Sequence, residues 1–175
     1  ILAFERSYHA LGTAQLSVLL ATYFSPLHGN LSTACKLPVA GLHVDAVRAA
    51  DELVSVLDWL PSHKVLSVGI IDGRNIWRTD LDAALSRLAP LLARRPDTLW
   101  LAPSCSLLHV PVSLAADSAL DAELRGWVAG ADEKLSELHI LQRALNDGAH
   151  TAVPHCETLA GHAIKIGFPL RAAIE

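Results

Sequence analysis

Four groups of residues in this chain have the types and spacing to do chemistry. Cys105 lies between Ser104 and Ser106, four residues before His109. A thiol and an imidazole in one loop can act as nucleophile and base, because a neighbouring imidazole lowers a thiol's pKa. The alternative is a buried loop thiol, a histidine bonded to backbone carbonyls, and serines capping nearby backbone groups. Arg74, Asn75, Trp77 and Arg78 form the second group. Guanidinium forks match carboxylates in a bidentate way, so this loop suits an acidic ligand. The alternative ties the loop down through an Arg–Asp pair with Asp72 or Asp80, with Trp77 packed underneath.

His43 and Asp45 are two residues apart in an apolar run. On a strand they point to the same side. They are either ligand-binding groups at a barrel mouth or a polar layer in which Asp45 pairs with Arg74 or Arg78, since buried charges are normally paired. The last group is His150, His155, Cys156 and His162. Zinc accepts such ligands, but the spacing matches no established zinc pattern, and the adjacent His155 and Cys156 do not converge easily on one tetrahedron. No metal site is assigned.

The elements that position these residues follow from apolar periodicity. Residues 1–16 have helical spacing. Short apolar runs at 17–24, 39–46, 64–71 and 98–102 read as buried strands. Helical periods cover 30–36, 49–60, 80–94 and 118–145, with Asp80 as a cap and Pro61 and Pro96 as stops. A loop spans 103–117, and Asn146-Asp147-Gly148 ends the last helix. Continuous apolar strands alternating with helices predict a parallel sheet. The expected fold is therefore α/β: a partial (β/α)8 TIM-type barrel of about four βα units over residues 1–145. Residues 146–175 read as an irregular tail or connector. The loops holding Arg74 and Cys105 each follow a strand and precede a helix, which is the functional face of such a barrel.

Composition narrows the class. The chain has 175 residues, 51% hydrophobic and 18% charged, with a net charge of −4. Soluble chains average about 25% charged residues, so apolar surface awaiting a cover is expected. There is no methionine, so Ile1 is not expected to be a translation start, and the chain reads as a piece of a longer one. The acidic balance argues against nucleic acid. No run approaches the ~18 apolar residues of a membrane span. Three cysteines without a CxxC pattern suggest reduced thiols and a cytoplasmic location. No glycine-rich nucleotide motif follows any strand.

Several runs carry a resemblance. They are Thr22-Tyr23-Phe24, Leu37-Pro38-Val39, Gly41-Leu42-His43-Val44-Asp45, Val68 to Leu81, Leu99 to Pro111, and Leu120-Asp121-Ala122-Glu123-Leu124. In order and spacing they resemble the later half of the N-terminal barrel of the cobalamin-independent methionine synthase family. Ser113 departs from it, standing where that family usually has Asp, and the tail after Asn146 matches it in no run.

The resemblance implies two face-to-face barrels that move a methyl group from methyltetrahydrofolate polyglutamate to homocysteine. Zinc would sit in the other barrel, while this one mainly supports structure and helps hold the folate's acidic tail, largely through basic residues nearer its start, so this segment would lack the metal site, the homocysteine site and most of the folate site. This segment would then carry no catalytic residue and no cofactor. Its partner would be the remainder of the synthase chain or a second copy. The competing expectation is a stand-alone binding or assembly module built from the half-barrel.

Overall fold

The computed structural model describes residues 2–13, 16–115 and 119–146. The histidines and cysteine considered at 150–162 lie outside the described residues. The elements run α1 (Leu2–Gly12), β1 (Leu19–Ala21), α2 (Leu31–Lys36), β2 (Gly41–Asp45), α3 (Leu53–Trp59), β3 (Val65–Ile71), α4 (Leu81–Arg94), β4 (Leu99–Pro103), α5 (Ala122–Trp127) and α6 (Ala131–Asn146). The four strands form one sheet in chain order, and every pairing is parallel. This is the expected α/β half-barrel, and it is not closed.

The sheet has two unlike faces. Alternation along the strands sends Leu20, Leu42, Val44, Leu66 and Val68 to one side, where they join Val56, Leu57, Leu88 and Leu141 of the helices in the core. His43, Asp45, Ser67 and Gly69 take the other side. The sheet's inner face is thus polar or small at its centre, not apolar. Much of the uncovered apolar surface lies elsewhere. Helix α1 buries none of its residues, and Leu2, Phe4, Leu11 and the edge residue Leu19 are all exposed.

Two expected elements differ. The first strand is three residues long instead of eight. Beyond Ala21, the Thr22 amide (3.0 Å) and hydroxyl (2.7 Å) both donate to the His43 carbonyl, and the backbone then turns away at Phe24 with φ 77°. The long helix over 118–145 is two helices, α5 and α6, separated by Val128-Ala129-Gly130. Tertiary pairing outweighs helix periodicity here. Val128 bridges antiparallel to Trp77, the Arg78 amide donates to Trp127 O at 2.9 Å, and the Ala129 amide donates to Ile76 O at 2.7 Å. Gly130 permits the break, since a Cβ there would stand 2.7 Å from Pro111 O.

Asp80 caps α4 as expected, accepting from the Ala83 amide at 2.9 Å. Asp80→Ala is expected to lose about 1 kcal/mol of stability, read as a lower urea midpoint with an unchanged slope.

Candidate functional site

The loops that follow β1, β2, β3 and β4 converge at the carboxyl ends of the strands, and Asp45, Arg74, Asn75, Ser104, Cys105 and His109 lie there. Asp45, the last residue of β2, is the hub. Its carboxylate accepts from the amides of Phe24, Val47 and Arg48, each at 3.0 Å, and its side chain is fully buried. Its ionic partner is Arg48, at 3.6 Å, and not Arg74 or Arg78. The reason is local. The turn after β2 returns the chain within three residues, so the nearest cation is three positions away. Arg48 also reaches Asp72 at 3.3 Å, which ties the end of β2 to the end of β3.

Asp72 in turn shapes the loop after β3. It accepts from the Arg74 amide at 2.8 Å and from Asn75 Nδ2 at 2.8 Å, while Asn75 Oδ1 accepts from the Trp77 amide at 3.1 Å. The Arg74 guanidinium is thereby left out of the ion pair with Asp72. Its Cζ lies 4.6 Å from the centre of the Phe24 ring. Arg78 turns instead toward the end of α5, with Nη2 3.4 Å from Arg125 O. Trp77 is exposed and does not pack beneath the loop.

Helix α6 clamps the same loop from the other side through two buried residues. Lys134 Nζ donates to Trp77 O at 2.9 Å, and Glu137 accepts from the Thr79 amide at 3.3 Å. Burial pushes the Lys134 ammonium down and the Glu137 carboxyl up; each group's charge partly restores the other, and the Thr79 bonds also favour the Glu137 anion.

After β4, Ser104 is buried and its hydroxyl accepts from the Gly73 amide at 3.2 Å. Gly73 has to be small, because a Cβ there would meet Cys105 O at 2.9 Å and Cys105 Sγ at 3.0 Å. The Cys105 thiol is directed to Ser106 O at 3.6 Å, and burial pushes its pKa up despite help from Ser104. His109 closes a short 3-10 turn and sets its ring 6.1 Å from that of Phe24. Among the described interactions the thiol and the imidazole do not meet, and a thiol held protonated is a poor nucleophile.

His43 completes the polar inner layer. Its Nδ1 lies 2.9 Å from Ser67 Oγ and its Nε2 lies 3.4 Å from Ser104 O. Burial holds the imidazole below its ordinary value of 6.5, with Ser104 and Asp45 acting against that. The unfolded chain therefore takes up a proton that the folded chain resists, so this contribution to stability is lost as pH falls through about 6.5. Glu137 has the opposite sign, since its raised pKa adds stability as pH falls toward the unfolded value. The raw profile mixes the two. The difference between wild type and His43→Gln isolates His43, and urea unfolding should show the variant losing less stability between pH 7.5 and 5.5.

Sequence reasoning missed Phe24, Arg48, Lys134 and Glu137. Arg48 had a signal, standing three residues after a strand-end aspartate. Lys134 and Glu137 looked like an ordinary charged helix face, and Phe24 like the end of a strand. Among the described residues no cluster of three or more His, Cys, Asp or Glu side chains is placed to hold a metal. None of the helices among them is long and apolar enough to cross a membrane.

Parallel strands in chain order, helices on one side, and polar loops gathered at the strands' carboxyl ends define a segment of a β/α-barrel protein. Comparison with known proteins gives the family. The family described as "Cobalamin-independent synthase, N-terminal domain" matches residues 1–96, and the chain belongs to it. A relative from Saccharophagus degradans, named 5-methyltetrahydropteroyltriglutamate–homocysteine methyltransferase, is 58% identical over 146 residues. That match covers 83% of this chain and 19% of the relative, so the chain spans about a fifth of the length of that protein.

Proposed function

We propose that this chain forms part of the non-zinc barrel of an enzyme that transfers a methyl group from methyltetrahydrofolate polyglutamate to homocysteine. The observation that carries the reading is the 58% identity, sustained over 83% of the chain, to a methyltransferase of that name. In this reading zinc and the homocysteine site belong to the other barrel. This segment supplies no catalytic residue, works in the cytoplasm, and meets its partner, the rest of the synthase chain, along the open edges of β1 and β4. A second copy would meet the same edges.

The segment's contribution to substrate is electrostatic. Arg74 is exposed at the mouth of the sheet, beside Asn75 and one turn from Arg78. A guanidinium there suits the γ-carboxylates of a glutamate tail, since Arg–carboxylate pairs are short, charge-assisted and bidentate. Asp45, Arg48 and Asp72 hold the loop in shape, and Ser104, Cys105 and His109 line its other side. The chain by itself is expected neither to turn over methyltetrahydrofolate nor to retain one zinc per chain.

Titration with a triglutamate peptide tests the proposal. The chain should bind it saturably, with affinity that falls as salt is raised, and Arg74→Ala should abolish that binding. Absence of saturable binding, or binding unaffected by Arg74→Ala, contradicts the acidic-tail role.

A further inference from the structure

Phe24 sits where its own side chain is least welcome. With φ 77° its backbone is in the left-handed region, which glycine or asparagine enters readily and a bulky residue does not. The conformation is imposed from outside. Asp45 Oδ2 accepts from the Phe24 amide at 3.0 Å, and Thr22, just before it, is bonded twice to the His43 carbonyl. Strain of this kind persists only when the surroundings enforce it, and it gathers at ligand sites.

The consequence is where the ring arrives. It is 40% exposed, with the Arg74 guanidinium 4.6 Å over its centre, the Tyr23 ring edge-on at 4.7 Å and the His109 ring at 6.1 Å. These residues come from the loops after β1, β3 and β4. Among the described residues no carboxylate lies within ion-pair distance of Arg74. A guanidinium resting on an aromatic face keeps its in-plane N–H fork free of the ring.

We infer that Phe24 is a positioning residue: it holds the Arg74 guanidinium, with His109 alongside, ready to receive a carboxylate at the mouth of the sheet. This rests on the acidic-tail reading above and adds the residue that preorganises the grip. A free arginine side chain loses rotamer freedom on binding, and stacking removes part of that loss beforehand.

Triglutamate titrations of five Phe24 and Arg74 variants, Arg74→Ala among them, test this, together with the guanidinium proton resonances of Arg74. Phe24→Asn suits the left-handed backbone, so it should fold at least as stably as wild type yet bind triglutamate about 3–5-fold more weakly, the scale of an exposed cation–π contact. Phe24→Trp should stay within about twofold of wild type. Phe24→Leu keeps bulk without a ring and should behave like Phe24→Asn, which preserves the test should the asparagine variant fold poorly. Arg74→Lys, which keeps charge but loses the fork, should also weaken binding.

The Arg74 resonances should show a ring-current shift in wild type and Phe24→Trp that is absent in Phe24→Asn and Phe24→Leu. If Phe24→Asn or Phe24→Leu binds as tightly as wild type while Arg74→Ala does not bind, the positioning role is wrong and the acidic-tail reading stands. If wild type itself does not bind triglutamate, both fall.

Discussion

Asp45→Ala should remove about 3 kcal/mol of stability, mostly from three backbone amides left without their acceptor. One carboxylate is lost, but four groups lose a partner: the amides of Phe24, Val47 and Arg48, and the Arg48 guanidinium. The Phe24 amide is the most consequential, because that bond enforces a backbone conformation phenylalanine does not favour. Arg48 would keep Asp72, so β2 and β3 stay joined while the β1 end comes loose. Urea unfolding of Asp45→Ala and Asp45→Asn measures this. The asparagine variant retains an acceptor oxygen and should lose clearly less. Equal losses would mean that both carboxylate oxygens are needed, Oδ2 for the Phe24 amide and Oδ1 for those of Val47 and Arg48.

Lys134→Ala is expected to have an effect of similar size, about 3 kcal/mol, from the volume removed in a packed, fully buried position. It also frees Trp77 O and unfastens α6 from the loop after β3. Glu137→Gln should differ sharply. The amide oxygen can still accept from Thr79, so the change should be under about 1 kcal/mol. Denaturant midpoints of the two variants provide the comparison. A large loss in Glu137→Gln with none in Lys134→Ala would reverse the roles assigned to the pair.

The sheet was legible because its signal is local. The runs at 39–46 and 64–71 are short and largely apolar, and helical periods separate the four runs, so the strands and their parallel pairing followed from spacing. What was not legible depends on contacts between distant segments. A glycine such as Gly126 or Gly130 in a helical period costs only about 1 kcal/mol and does not predict a break. The break comes from Trp77, 51 residues earlier in the chain, pairing with Val128. Asp45 could be singled out from its place at the end of an apolar run, and Arg74 and Ser104 from their loops. Their partners were not, because the choice of Arg48 over Arg74 depends on how one turn folds back. Phe24 gave no sign of its backbone, since a left-handed phenylalanine contradicts the preference of its own residue type.

The central claim is that this chain does in an N-terminal synthase barrel what the corresponding segment does in its relative. A chimera tests it most directly. In the Saccharophagus degradans methyltransferase, the matched segment would be replaced by the 146 matching residues of this chain. The chimera is predicted to fold and to transfer methyl from methyltetrahydrofolate triglutamate to homocysteine at a rate within about tenfold of the parent, a difference of about 1.4 kcal/mol in barrier. A chimera that unfolds cooperatively like the parent and yet transfers no methyl group would contradict the account.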